Sequence, residues 1–357
     1  MMAIDIPIIA RQYTVPTASY RHYRLRLEDA PVPTPKANEV LVKIKAVSLQ
    51  SRDLMVLNNE YPPPIAADVV PCSDMAGEVV AVGADVARWT PGDRVMANFF
   101  LELLFEDSMT TEIKTSALGG AVHGVLTEYR AFPEHSLVAI PSHLNYEEAS
   151  TLPCAALTAY NALVYGFQRV KAGDTVLIQG TGGVSIFALQ FSLASGALPI
   201  VLSASDEKLR TATNLGAKHG INYLTTPAWD EAVRALTGGR GVDHVLEVVG
   251  NATLERSLKA VRIGGSVNII GMLGGKGVQG DAPPPHIIGT TVWNSIKIRG
   301  VYVGSVAQFE DMNRLLAANP DVTRPVIDKV FSFEEAREGF AYLQSQKHVG
   351  KVVIRVA

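Results

Sequence analysis

VLIQGTGGVSIF, residues 176–187, changes character twice. Val176, Leu177 and Ile178 read as a buried strand. Gly180, Thr181, Gly182 and Gly183 form a turn, and Val184 opens a helix. Glycine lets the backbone turn tightly and approach a phosphate closely. The helix start adds free N–H groups and the positive end of its dipole. The pattern predicts a dinucleotide loop that binds through Gly180, Thr181, Gly182, Gly183 and Val184. Where a third glycine would stand this chain has Ser185, small enough for a helix–strand contact.

The following residues continue the alternation. ALPIVLSAS reads as a strand, DEKLRTATNLG as a helix ending at glycine, and HGINY as a short strand. DEAVRALTGG is a helix, DHVLEVVG a strand, ATLERSLKAVRIGG a helix and SVNIIG a strand. Strands alternating with helices predict a parallel, doubly wound sheet. A site for NAD places Asp or Glu at the end of the second strand, to hold the ribose 2′-hydroxyl. Here that region offers Ser203 and Ser205, with Lys208 and Arg210 one helical turn later. Hydroxyls and cations suit a 2′-phosphate. The cofactor expected is NADP(H).

The first half is different. EVLVKIKAV (39–47), EVVAVGADV (78–86) and DRVMANF (93–99) are short strands divided by turns such as TPGD, and they suggest a small antiparallel barrel. YEEASTLPCAALTAYNALV reads as helix, and the last strand, KVVIRVA, is expected to pack back on the first domain. The Gly/Pro-rich loop 274–289 is expected to be mobile.

The chain has 357 residues, enough for two domains. It is 47% hydrophobic and 19% charged, an ordinary globular composition. A formal charge of -3 argues against nucleic acid as a partner. No run reaches the roughly 20 apolar residues of a membrane span, and no signal peptide is read at the start. With only Cys72 and Cys154, a disulfide framework is excluded. A reducing, cytoplasmic setting is expected.

Several blocks together resemble the medium-chain dehydrogenase/reductase superfamily: SLQSRDLMVLNNEYPPP, VPCSDMAGEVVAVG, GDRVMANFF, GVLTEYRAFPEHSLVAIP, EEASTLPCAALTAYNAL and GTGGVS. They are most similar to its zinc-free, quinone-oxidoreductase-like branch. The resemblance covers essentially the whole chain. It implies an α/β protein with a chaperonin-10-like β-barrel catalytic domain (1–155, completed by 303–357) and a doubly wound Rossmann dinucleotide-binding domain (156–302). The active site is expected in the cleft between them. Zinc enzymes of the superfamily hold their metal with Cys, His and Cys; the matching positions here are Gln50, Ser73 and Cys154. A carboxamide, a hydroxyl and one thiol make a poor zinc site, even with Asp74 added. The four-cysteine structural lobe has no counterpart in FFLELLFEDSMTTEIKTSALGG. No metal is expected.

Without a Lewis acid, hydrogen bonds must polarise the substrate. By position, the resemblance implies that Gln50 matches an active-site asparagine of quinone reductases. Arg52 matches the proton-relay hydroxyl of the zinc enzymes, or pairs with a neighbouring carboxylate; Asp53 beside it orients or caps locally. Tyr61 matches a pocket tyrosine. Thr158 and Val184 lie near the nicotinamide, and Tyr223 near the adenosine phosphate. Val249, Gly250, Gly271, Met272, Val301 and Tyr302 line the remaining cofactor path. His123 and His135 read as structural, and no Ser-His-Asp arrangement is suggested. The apolar insertion 99–120 must be covered by the substrate cleft, the other domain or a second subunit. SIKIRGVYVG (295–304) resembles the edge strand through which this family forms homodimers.

The activity expected is zinc-independent, NADPH-dependent hydride transfer to a quinone, enone or related carbonyl compound. Two other readings stay open: a metal-free alcohol dehydrogenase or carbonyl reductase, and an NADP-binding redox sensor with little catalysis.

Overall fold

The computed structural model describes residues 6–17, 25–106, 108–272 and 287–357. Most of the loop 274–289 lies outside the described residues. The chain divides into two compact units. One comprises Met1–Leu157, Val303–Pro320 and Arg324–Ala357; the other comprises Thr158–Tyr302 and Asp321–Thr323.

In the first unit, β1 (Ile9–Thr14) and β2 (Arg26–Pro31) form an antiparallel pair. Five more strands follow: β3 (Glu39–Ser48), β4 (Asp74–Val82), β5 (Arg94–Ala97), β6 (Tyr129–Pro133) and β7 (Leu137–Ala139). The second unit holds β8 (Thr175–Gln179), β9 (Leu198–Ser203), β10 (His219–Asn222), β11 (Val242–Glu247), β12 (Val261–Ile269) and β13 (Lys297–Gly300). The chain then returns to the first unit with β14 (Ile327–Ser332) and β15 (Lys351–Arg355).

The seven-stranded sheet runs β14-β15-β3-β4-β5-β7, with β6 also on β3. β15 pairs with β3 through Val353 opposite Ser48, as expected for a returning segment. The side chains of Val40, Val42, Ile44 and Val47 are sealed in a core with Phe132, Phe333 and Phe340. Each such side chain contributes about 1.5–3 kcal/mol through removal from water.

In the insertion 99–120, Phe99, Phe100, Leu101 and Leu103 are buried, and Leu101 belongs to the core cluster of the first unit. The backbone of Leu103 accepts from Val306 N at 2.9 Å, at the start of the returning helix Val306–Ala318. Among the described large apolar side chains of this stretch, Phe105 is the exposed one, at 65%.

The second unit is a parallel sheet of order β10-β9-β8-β11-β12-β13. Counted from β8, this is 3-2-1-4-5-6, the Rossmann order. Helices flank the strands, so both sheet faces are covered. That is why Val176–Ile178 can be continuously apolar. One boundary differs from the sequence reading. The helix expected through Gly265 is Leu254–Ala260, and β12 begins at Val261. Val261 and Ile263 are β-branched, Gly264 and Gly265 follow, and Val261 finds a ladder partner in Val242. The edge strand β13 is also shorter than 295–304. Ser295 (φ 51°) and Val303 (φ 58°) take left-handed conformations on either side of it.

The fold also assembles a Ser-His-Asp relay that the sequence did not suggest. His244 places Nδ1 3.0 Å from Ser266 Oγ and Nε2 3.2 Å from Asp174. All three side chains are buried. Burial pushes the His244 imidazole below its ordinary value, against the pull of Asp174. With its hydroxyl sealed from solvent, the relay fastens β12 and β11 to the start of β8.

Candidate active site

In the first unit, the helix Ser51–Leu57 begins at Gln50. Gln50 N donates to Asp53 Oδ2 at 2.8 Å, which closes the first turn. The Gln50 carboxamide donates to Asp74 Oδ2 at 2.5 Å, and Ser73 Oγ donates to Asp74 Oδ1 at 2.5 Å. Cys154 N adds a third bond to the same carboxyl at 3.1 Å. Gln50, Ser73 and Asp74 are all buried. Burial pushes the Asp74 carboxyl up to about 7, although buried Lys351 and the two side-chain bonds pull the other way. Lys351 Nζ donates to Leu49 O at 2.6 Å. Burial likewise pushes the Cys154 thiol well above its usual range, so it rests as an uncharged thiol. Cys72, two residues before Asp74, has a φ of 70°. Such strained backbone gathers at functional sites.

Arg52 and Tyr61 sit beside this cluster. The Arg52 guanidinium lies 4.5 Å from the Tyr61 ring centre and 4.9 Å from that of Phe99, both within cation–π range. Its Nη1 donates to Leu118 O at 2.7 Å and lies 3.6 Å from Asp53 Oδ1. Of the two roles open to Arg52, the carboxylate neighbour is the one seen. Burial raises the Asp53 carboxyl, and Arg52 opposes that shift.

The zinc donor set does not fit. Gln50 and Ser73 spend hydrogen bonds on Asp74, and both are weak ligands for zinc. Among the described residues no group of three or more His, Cys, Asp or Glu side chains could hold a metal.

In the second unit, most of the predicted cofactor residues follow the carboxyl ends of the parallel strands, while Thr158 and Lys208 lie on helices. Gly180 follows β8 with a φ of 74°, a conformation that favours glycine. Gly182 caps the helix Gly183–Ala194, and a Cβ built there would meet no protein atom within 4 Å. Packing therefore does not demand this glycine. The cradle it leaves beside backbone amides fits a pyrophosphate. Ser185 is buried and donates to Gln179 O at 2.7 Å, tying helix to strand where a third glycine would only have made contact.

Ser203 ends β9 and is buried. Ser205 caps the helix Asp206–Asn214 by accepting from Lys208 N at 3.4 Å. Tyr223 N reaches Ser203 O at 3.1 Å, which brings Tyr223 to the same edge. Val249 and Gly250 follow β11, and Gly271 and Met272 follow β12. A Cβ on Gly250 would lie 3.3 Å from Gly271 O and from Met272 Cα, so the two turns touch. Val301 N bonds Ile269 O at 2.8 Å, leaving Tyr302 44% exposed. Thr158 is buried near the start of the helix Leu157–Val164.

Residues 183–318 match the family described as zinc-binding dehydrogenase, and residues 36–142 match the alcohol dehydrogenase GroES-like domain. A zinc-type alcohol dehydrogenase-like protein of Schizosaccharomyces pombe is 45% identical over 337 residues, 93% of this chain and 95% of its own. The chain belongs to the medium-chain dehydrogenase/reductase superfamily. The crystal structure of a putative alcohol dehydrogenase from Sinorhizobium meliloti is similar with a TM-score of 0.89 at 42% identity, covering 99% of this chain and 100% of that one. A quinone oxidoreductase of Homo sapiens is 25% identical over 316 residues, 87% of this chain and 86% of its own. This medium-chain enzyme is thus an oxidoreductase that uses a nicotinamide dinucleotide, built from a chaperonin-10-like barrel and a Rossmann domain. Among its described residues no helix is long and apolar enough to cross a membrane.

Two residues of the medium-chain enzyme's cofactor edge escaped the sequence reading. Glu247, the last residue of β11, is fully buried, and Gln179, the last of β8, donates to it at 2.7 Å. A charged residue inside the apolar run DHVLEVVG was the available signal, since an acid is rarely buried without partners.

The raised Asp74 carboxyl makes stability depend on pH. A native pKa above the unfolded value gives a contribution that is full below about pH 4 and is lost as pH rises through about 7. Wild-type unfolding free energy should therefore fall between pH 5 and 8 relative to Asp74→Asn, by at most about 4 kcal/mol. Urea melts of both proteins across that range check it; parallel pH profiles would refute it.

Proposed function

We propose that this enzyme is zinc-independent and NADPH-dependent, and passes hydride to a quinone, an enone or a related carbonyl compound. The observation that carries the reading is the Gln50–Asp74–Ser73 cluster, where hydrogen bonds occupy the positions of metal donors. Bound NADPH supplies the hydride. Asp74 takes one N–H of Gln50 and so orients the carboxamide; the second N–H polarises the acceptor oxygen. Tyr61, held against Arg52, delivers the proton that completes reduction.

The choice of NADPH rests on Ser203, Ser205 and Lys208 where an NAD site would present a carboxylate. In this reading, residues 1–155 and 303–357 form the catalytic domain and 156–302 the cofactor domain. Thr158, Gly180, Thr181, Gly182, Gly183, Val184, Tyr223, Val249, Gly250, Gly271, Met272, Val301 and Tyr302 line the dinucleotide path. The enzyme acts in the cytoplasm as a homodimer. The place of β13 at the end of the described sheet supports the dimer, together with Ile288, Val292 and Trp293 on the neighbouring helix Ile287–Trp293. These three side chains are 65–85% exposed, an apolar surface that calls for a partner.

NADPH oxidation against quinones, enones, aldehydes and alcohols tests the substrate class. Turnover of a quinone or enone that survives chelator is expected, and Gln50→Ala should lower kcat/KM by roughly 10²-fold. Activity that is confined to alcohols, or that chelator abolishes, refutes the reading. Lys208→Ala should raise the Kd for NADPH about tenfold and leave NADH nearly unchanged; equal losses would overturn the preference. Sedimentation should report a dimer for wild type and monomers for Trp293→Asp, and a wild-type monomer would sink the assembly.

A further inference from the structure

Glu247 gathers donors from several elements of the cofactor edge. Its Oε2 accepts from Gln179 Nε2 at 2.7 Å and Ser257 Oγ at 2.6 Å. Its Oε1 accepts from Val249 N and Gly250 N, each at 2.9 Å, and from Thr253 Oγ1 at 2.7 Å. Its main-chain oxygen accepts from Ile270 N at 2.8 Å and Gly271 N at 3.3 Å. Gln179 closes the circuit, its Oε1 accepting from Val248 N at 3.2 Å. Gln179 directly precedes the glycine loop. One buried residue therefore braces the loop after β8, the turn after β11 and the turn after β12.

An ionised carboxylate accepts only, which suits five converging donors. A glutamine would turn an N–H toward Gln179 or toward the Val249–Gly250 turn, and one of those bonds would be lost. We propose that Glu247 is a positioning residue for the dinucleotide. It holds the three turns in their binding arrangement before the cofactor arrives, and it need not touch the cofactor to set its affinity. This rests on the reading that these turns bind a nicotinamide dinucleotide.

The test is calorimetric titration with NADPH and NADH, beside thermal melts and kcat at saturating cofactor. Glu247→Gln should raise the Kd for the preferred dinucleotide about tenfold, with kcat within about threefold of wild type. The exchange Gln179→Glu with Glu247→Gln restores matched donors and acceptors, and should bring the Kd back to within about threefold of wild type. A Kd unchanged in Glu247→Gln, with only the melting temperature lowered, overturns the proposal. So does a double variant no better than the single one. Should Glu247→Gln fail to fold, Thr253→Val decides. It removes one donor, and a Kd raised about threefold at an unchanged melting temperature supports the role, whereas no change in Kd refutes it. Wild type that binds neither dinucleotide overturns the functional reading and this inference together. Binding by wild type with equal binding by Glu247→Gln overturns this inference alone.

Discussion

Parallel strands all end at one edge, and there the hydrogen-bond ladder stops while the backbone continues. Every turn beyond that edge needs partners from elsewhere. In this protein the carboxylate of Glu247 supplies them for the turn after β11, and through Gln179 it reaches the strand that leads into the glycine loop. The main chain of the same residue holds the start of the turn after β12. The helix Gly183–Ala194 starts directly after that glycine loop, and Ser185 in its first turn donates back to Gln179 O. Glu247 itself is buried, and its carboxyl meets five donors there.

The barrel uses a second buried carboxyl differently. Asp74 takes donors from Gln50, Ser73 and Cys154 N, yet burial outweighs them and keeps it ready to accept a proton near neutrality. The surroundings of Asp74 also include a second buried acid, Asp53, which adds repulsion. Two carboxyls of similar chemistry thus serve different ends. One fastens turns; the other orients the carboxamide of Gln50.

The Ser266–His244–Asp174 relay marks the limit of arguing from residue type. Its geometry resembles nucleophilic machinery, yet its hydroxyl is sealed between strands. Arg52 makes the complementary point. Its place in the sequence left proton relay and pairing with a neighbouring carboxylate both open, and its surroundings are two aromatic rings and the buried carboxyl of Asp53.

Residues 176–187 and the alternation after them announced the Rossmann unit, because buried parallel strands must be apolar throughout and a glycine turn must follow the first. The early β-rich half and the returning last strand were legible for a similar reason: short alternating runs have few other uses. Local pattern could not locate the end of the helix at Ala260, because Val261 becomes strand only once Val242 stands beside it. Nor could it show that the backbone of Leu103 meets Val306 N, some 200 residues away in the chain. The sequence by itself determined the two architectures, the glycine loop and the serines, Ser203 and Ser205, that stand before the first acid, Asp206, after β9. Only the tertiary structure decided which polar residues meet. Gln50 with Asp74, and Gln179 with Glu247, are separated by 24 and 68 positions, and their bonds exist because strand pairing closes those distances.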